Sequence, residues 1–306
     1  MSVTKIKEHI FMIDVEVAGI QHFIASYVVM GENIAIIETG PSSSIQNLIH
    51  GLTDLGIKPD EVSYIAVSHI HLDHAGGEAT LKQHFPNAKV IAHEKGAPHL
   101  ANPEKLWQQS KMILEEIAEI YGEPEPVPAD RIIAAKDGMT FEVGKDVTLK
   151  VVETLGHASH HLSYYEPISN GVFVGDAAGI YLNDIDVIVP NTPSPFRLDM
   201  ALASLNRLVD LKPSMLLYYT HFGKAENAVE KLHAYANQLK LWASIAKQVL
   251  DKGEGLEEIS RKIVENDKAV KKAWKYIKAH RVLSKTVLKI SVLGMVEFVK
   301  NFGLPI

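Results

Sequence analysis

The chain has 306 residues, of which 46% are hydrophobic and 22% are charged, and its formal net charge is −6. This composition is typical of a globular protein with one large domain or two of ordinary size. The negative net charge argues against a protein that binds a nucleic-acid backbone. The sequence contains no cysteine, so any metal would need nitrogen and oxygen ligands.

The N-terminal residues lack the apolar core and the small-residue cleavage site of a signal peptide. No apolar run reaches the roughly 18 residues that a membrane-spanning helix needs. We therefore expect a cytoplasmic protein with a small-molecule substrate and neither a nucleic-acid nor a membrane partner.

Taken in chain order, the first elements predict an antiparallel meander of strands at Lys5–Val17, Ala25–Met30 and Ile34–Glu38. The serines at 42–44 then predict the cap of a helix over Ile45–Leu55.

A β-branched, apolar run at Val62–Val67 predicts a buried strand that ends in His69-x-His71-x-Asp73-His74. Alternate side chains of an extended segment point to one face, so His69 and His71 should face the same way. Four ligand-type side chains within six residues favour a metal site over isolated surface histidines.

Beyond this loop, the pattern predicts helices at Ala75–Phe85 and Lys105–Tyr121, with a short strand at Lys89–Ala92 between them. A second block of strands is followed by one helix and a last strand. The predicted strands of this block are Ile132–Ala134, Met139–Val143, Val147–Thr154, Leu162–Tyr165, Gly171–Val174 and Met215–Tyr219, and its helix is Asp199–Leu211. Two rounds of strands followed by helices predict an α/β fold, an αββα sandwich of two stacked mixed β-sheets flanked by helices.

The tail after His221 predicts an all-α C-terminal extension. Its four helices are expected at Ala225–Lys252, Leu256–Asn266, Ala269–Ala279 and Ser284–Asn301. We therefore predict a catalytic domain at 1–224 and a helical extension at 225–306. The last helix is apolar around most of its circumference, which predicts burial against the main domain or in a homodimer.

Three later strands also end in a ligand-type residue beside glycine: His157, Asp176 and His221. Each has an ordinary alternative, as a turn residue, a helix cap or a strand-end residue. Together with the first cluster they give five histidines and two aspartates. That number suits two metal ions with a shared ligand, and imidazole with carboxylate is compatible with zinc, iron or manganese.

The ordered motifs His69-x-His71-x-Asp73-His74, Gly156-His157, Gly175-Asp176 and Thr220-His221 resemble those of the metallo-β-lactamase-fold hydrolase superfamily, over roughly Lys5 to Gly223. The resemblance implies that His69, His71 and His157 hold one ion, that Asp73, His74 and His221 hold the other, and that Asp176 bridges. It also implies supporting roles without metal contact for Glu38 and His161, while Ala158, Ser159 and His160 depart from the family's loop sequence. The implied cofactor is a pair of divalent ions, with zinc expected and iron or manganese as alternatives.

The resemblance implies a dinuclear metal-dependent hydrolase that uses a metal-bridging hydroxide on a small ester, thioester or lactone, with Asp73 also serving as the catalytic proton carrier. The helical extension is similar to that of the glyoxalase II group, but the basic and tyrosine pattern with which that group holds glutathione is missing. The alternatives are phosphodiesterase, phosphotriesterase or β-lactamase activity at the same site, or a mononuclear iron persulfide dioxygenase. Tyr181, Phe196 and Arg197, in a proline-rich loop, are the candidate substrate contacts.

Overall fold

The protein is described by a computed structural model that covers residues 3–211 and 215–304. Its contacts divide the chain into two compact units. The sheet unit comprises Met1–Glu153, His160–Gly175 and Leu216–Ala225, and the helical unit comprises Thr154–Ser159, Asp176–Met215 and Glu226–Ile306. The domain boundary at 224/225 remains a prediction.

The sheet unit contains two mixed β-sheets. Its strands are β1 (Val3–Lys7), β2 (Ile10–Asp14), β3 (Ala25–Met30), β4 (Ile34–Ile37), β5 (Val62–Ala66), β6 (Lys89–His93), β7 (Ile132–Ala135), β8 (Thr140–Glu142), β9 (Thr148–Glu153), β10 (Leu162–Glu166) and β11 (Gly171–Gly175), with β14 (Leu216–Tyr219) and β15 (Gly223–Ala225). The first sheet has the order β1-β2-β3-β4-β5-β6-β7, and the second β15-β14-β11-β10-β9-β8. Strands β4 to β7 run parallel, as do β11 and β14, while the other pairs are antiparallel.

A single apolar cluster fills the space between these two sheets. Tyr27 and Ile37 from the first sheet meet Phe173 and Tyr218 from the second within it. Tyr27 and Phe173 are in edge contact, with ring centroids 5.2 Å apart. Burial of these side chains is the main favourable term that holds the sheets together.

The helices of the sheet unit are α1 (Ile45–Asp54), α2 (Leu72–Ala75), α3 (Glu78–His84), α4 (Ala97–Ala101), α5 (Glu104–Leu114) and α6 (Glu116–Tyr121). The predicted helix Ala75–Phe85 corresponds to α3, which begins three residues later, at Glu78. The prediction of one long helix over Lys105–Tyr121 is wrong. The break between α5 and α6 falls at Glu115, which has φ +52°.

The predicted strand Lys5–Val17 is also wrong, because β1 and β2 form a hairpin with a turn between them. The apolar and polar side chains keep alternating after the two-residue turn, so the sequence pattern does not reveal the turn. The predicted serine cap of α1 is wrong too: the Ser44 hydroxyl donates to the Pro41 carbonyl instead.

The helical unit holds a hairpin and six helices among its described residues. The hairpin is β12 (Ile180–Leu182) with β13 (Val187–Val189), and the helices are α7 (Leu198–Leu211), α8 (Ala228–Leu250), α9 (Leu256–Asn266), α10 (Lys268–Ala279), α11 (Leu283–Lys285) and α12 (Ser291–Phe302). A π-helical turn at Thr286–Ile290 lies between α11 and α12, so the predicted last helix is interrupted.

Helix α12 packs against α8 and α9 within this unit. Its side chains Val292, Val296 and Phe298 are buried, whereas Leu293 is 41% exposed. The fold class is confirmed: two mixed sheets with flanking helices are accompanied by an all-helical C-terminal region. None of the helices in residues 3–211 and 215–304 is both long enough and apolar enough to cross a membrane.

Candidate metal centre

The strand end that precedes the histidine cluster is fixed by bonds from several distant strands. The Tyr164 hydroxyl donates to the Val67 carbonyl at 2.7 Å, and Leu162 N–H donates to the Ser68 carbonyl at 2.8 Å. The Ser68 N–H donates to Glu38 Oε1 at 2.5 Å. Each bond orders a chain that has just left the regular sheet, so the following ligand-type side chains start from a defined position.

His69 and His71 point the same way, as their alternation predicted. His69 Nε2 and His71 Nδ1 lie 2.8 Å apart, close enough for both nitrogens to reach one ion. The Ser68 hydroxyl contacts the other nitrogen of His69, Nδ1, at 2.9 Å.

The short helix α2 turns the chain after His71 and brings Asp73 and His74 towards a third residue, His221. One donor atom from each of these three lies within 4.8 Å of the others, so the group could hold a metal ion. His221 follows β14, in a strand end that also places Thr220 beside Glu38.

The ring nitrogens of His74 and His221 have defined roles. His221 Nδ1 donates to the Phe23 carbonyl at 3.0 Å, because a carbonyl can only accept. His74 Nδ1 is hydrogen-bonded to Glu38 Oε2. In both residues the proton is therefore on Nδ1, and Nε2 carries the lone pair that a metal needs.

Glu38 supports this arrangement through contacts with three residues around it. It is buried, with 1% of its surface exposed, and its carboxylate contacts the Ser68 N–H, the His74 ring and the Thr220 hydroxyl. Its backbone has φ +65°, a conformation that non-glycine residues rarely adopt. Carboxylate contact raises the basicity of a histidine that binds a metal through its other nitrogen.

The helical unit holds the remaining two predicted ligands, His157 and Asp176, around one residue, Asn191. His157 Nδ1 donates to the Asn191 carbonyl at 3.0 Å, and Asn191 Nδ2 donates to Asp176 Oδ2 at 2.8 Å. His157 Nε2 lies 3.3 Å from the same Asp176 oxygen. When its ring is neutral, this histidine also carries its proton on Nδ1 and its lone pair on Nε2.

In each unit, one histidine nitrogen and one carboxylate oxygen therefore face each other. The pairs are His157 Nε2 with Asp176 Oδ2, and His221 Nε2 with Asp73 Oδ2 at 3.4 Å. A nitrogen and an oxygen that both present lone pairs repel unless a cation, either a proton or a metal ion, lies between them. The donor set is thus of the kind that holds divalent metal ions, and the residues fit such a group.

The other histidines have neighbours of their own. His161 is fully buried and stacks on His69, with ring centroids 5.0 Å apart. A Cβ on Gly175 would lie 2.7 Å from His161 Nε2, so glycine is required there. His93 bonds Glu153 at 2.9 Å.

The candidate substrate contacts divide into two groups. The Tyr181 hydroxyl donates to Asp186 at 2.8 Å, and burial raises the pKa of this tyrosine. Phe196 is 3% exposed, while the Arg197 guanidinium pairs with Asp199 at 2.6 Å. Phe196 and Arg197 line a common cavity in the helical unit, whereas Tyr181 is absent from the lining of that cavity.

Sequence reasoning missed three contributors. Ser68 and Thr220 immediately precede predicted ligands, so their positions were a usable signal. Asn191 had none, because its contacts with His157 and Asp176 join residues 34 and 15 positions apart.

Comparison with known proteins gives a consistent result. The family model described as the metallo-beta-lactamase superfamily matches residues 20–221. The metallo-beta-lactamase fold-containing protein ST1585 of Sulfurisphaera tokodaii is 29% identical over 68% of this chain and 76% of its own length. Its solved structure covers 76% of this chain and 86% of its own, with a TM-score of 0.65 and 26% identity.

Two further relatives extend the comparison. The solved structure of TTHA1429 from Thermus thermophilus covers 98% of this chain and 95% of its own, with a TM-score of 0.68 and 20% identity. A hydroxyacylglutathione hydrolase from Erythrobacter litoralis is 27% identical over 56% of this chain. The match covers 54% of the length of that enzyme.

Members of this superfamily typically bind metal ions, and the His and Asp clusters of both units are donors that could hold them. With a family match over residues 20–221 and relatives that are hydrolases by name, this chain belongs to the metallo-beta-lactamase superfamily and is a metal-dependent hydrolase.

Proposed function

We propose that the protein is a dinuclear metal-dependent hydrolase of a small ester, thioester or lactone. In this proposal His69, His71 and His157 hold one ion, Asp73, His74 and His221 hold the second, and Asp176 bridges. The observation that carries the proposal is the common orientation of His74, His157 and His221. Each is hydrogen-bonded at Nδ1 to an oxygen and therefore presents Nε2.

The ions would supply a nucleophilic water near neutral pH and would polarise the substrate carbonyl. The protein's part is to keep the donors in place and to move one proton. Glu38 and Asn191 fix the orientation of the ligands that they contact. The Asp73 carboxylate, with 17% of its side chain exposed, accepts the proton released as the carbonyl carbon is attacked and returns it to the leaving oxygen or sulfur.

The proposed substrate class draws on the names of two relatives. Relatives named hydroxyacylglutathione hydrolase and glyoxylase B2 are each 27% identical, and the chain spans only 54% and 50% of their lengths. Their names favour a thioester. The net charge of −6 favours a small molecule over a nucleic acid. Zinc is the proposed metal because nitrogen and oxygen donors suit it, although iron and manganese share that preference. A homodimer and a cytoplasmic location remain predictions from the sequence.

The test is metal analysis of the purified full chain together with a substrate panel. The panel contains a hydroxyacylglutathione thioester, p-nitrophenyl esters, lactones and a p-nitrophenyl phosphodiester. We expect two divalent ions per chain, turnover of an ester, thioester or lactone, loss of turnover with a chelator and recovery with zinc. Turnover of the phosphodiester alone, or one iron per chain with oxygen uptake on a persulfide, would contradict the proposal.

A further inference from the structure

The helical unit contains a cavity of about 370 Å³, within the size range of small-molecule pockets. We name it the Phe302 cavity. Its principal lining residues are Gly156, Ala158, Phe196, Arg197, Phe298 and Phe302. Three short segments therefore form it: the chain around His157, the end of the proline-rich loop, and the end of α12.

Three phenylalanines contribute to the walls of the Phe302 cavity. Phe196 and Phe298 are each 3% exposed, with ring centroids 6.4 Å apart. Phe298 stacks on Phe302 at 5.3 Å, and Phe302 remains 57% exposed. The inner wall is thus fixed by packing, while an apolar ring remains open at the rim.

The charged groups of the Phe302 cavity leave little net positive charge. The Arg197 guanidinium lies 4.4 Å from the centroid of the Phe302 ring. It is held there by two bonds to Asp199, at 2.9 and 2.6 Å, which neutralise it. The other charged lining residue is Glu297. Such a lining does not attract an anionic group, so the walls favour an apolar one.

The cavity shares a chain segment with a proposed metal ligand. Gly156 and Ala158 line it and flank His157 on both sides. Arg197 N–H donates to the Gly156 carbonyl at 3.0 Å, and a Cβ on Gly156 would come within 2.5 Å of the Ala201 backbone. Helix α7 and the proline-rich loop therefore hold the His157 segment against the cavity wall. A group bound in the cavity lies beside the segment that presents His157.

We propose that the Phe302 cavity binds the apolar acyl chain of the substrate, so that the protein prefers esters or thioesters of medium-length acyl groups. This inference rests on the proposed hydrolase function and names the substrate class for that site. Burial of each methylene group strengthens binding by about fourfold, so the preference should grow with chain length.

The test compares kcat/KM for p-nitrophenyl acetate, butyrate and hexanoate with the metal-loaded full chain. We expect hexanoate to exceed acetate by at least tenfold. Phe302→Ala should lower this hexanoate-to-acetate ratio by about tenfold, because it removes the exposed wall. The control is Leu293→Ala, an exposed apolar residue of the same helix that does not line the cavity, which should leave the ratio unchanged.

A second measurement separates this inference from the proposed function. Calorimetric titration of the full chain with sodium hexanoate and with sodium acetate reports binding without turnover. Turnover of acetate and hexanoate at equal rates, or an equal loss for both in Phe302→Ala, would overturn the acyl cavity. Absence of ester turnover together with at least tenfold tighter, Phe302-dependent binding of hexanoate would overturn the hydrolase proposal and support the cavity.

Discussion

The two units support their ligand-type side chains in different ways. In the sheet unit, a buried carboxylate, Glu38, contacts His74 and also ties down Ser68 and Thr220. In the helical unit, a neutral residue, Asn191, holds both His157 and Asp176. A carboxylate polarises a histidine more than an amide carbonyl does. Replacing Glu38 and replacing Asn191 should therefore weaken metal binding to different extents.

The largest effect is expected from Asp176→Ala. Replacing this proposed bridging ligand should lower kcat/KM by more than about 100-fold, because loss of even a residue that only supports a ligand costs 10- to 100-fold. The measurements are steady-state kinetics, metal content and circular dichroism. The matched control is Asp184→Ala, which removes an exposed carboxylate of the same unit. Ester turnover equal to the parent by a folded Asp176→Ala protein would contradict the dinuclear proposal.

An intermediate effect is expected from the two supporting residues. Glu38→Gln should weaken metal binding by about 100-fold, and Asn191→Ala by about 10-fold. The difference has a physical reason: the backbone carbonyl of residue 191 still accepts from His157 after its side chain is removed. Competition with a chromophoric chelator measures both affinities. Equal losses in the two variants would remove the distinction between charged and neutral support.

A last effect, on stability and not on turnover, concerns a second buried carboxylate in the sheet unit. Glu78 is 1% exposed, and burial raises the pKa of its carboxyl to about 8. Its Oε2 atom has no hydrogen-bond partner among the residues that the structure describes. Glu78 thus differs from Glu38, whose carboxylate accepts from several donors, and it stays protonated in the folded chain near neutral pH.

The pH dependence of stability follows from this pKa. The unfolded chain ionises Glu78 near pH 4.5 and the folded chain near pH 8, so the unfolded state binds fewer protons between these values. The free energy of unfolding should therefore fall by about 1.4 kcal/mol per pH unit across that range. Urea unfolding should show this slope reduced in Glu78→Gln and retained in Glu123→Gln, an exposed control. Parallel slopes in the parent and Glu78→Gln would contradict the buried-acid assignment.

The sequence predicted most of the strands and helices because their signal is local. Ala25–Met30 and Leu256–Asn266 have the same bounds in the prediction and in the structure. The failures have one cause. The break at Glu115 and the turn between β1 and β2 arise from backbone geometry that an apolar pattern does not record.

What the sequence by itself determined is the chemistry of the donors. Each group of ligand-type residues follows an apolar strand, and neither residue type nor strand end depends on distant parts of the chain. Only tertiary structure decided which residues support those donors. Glu38 reaches His74 across 36 residues and Thr220 across 182, and Arg197 meets Phe302 at the open cavity rim. Such contacts depend on how distant segments pack, and local periodicity carries no information about packing partners.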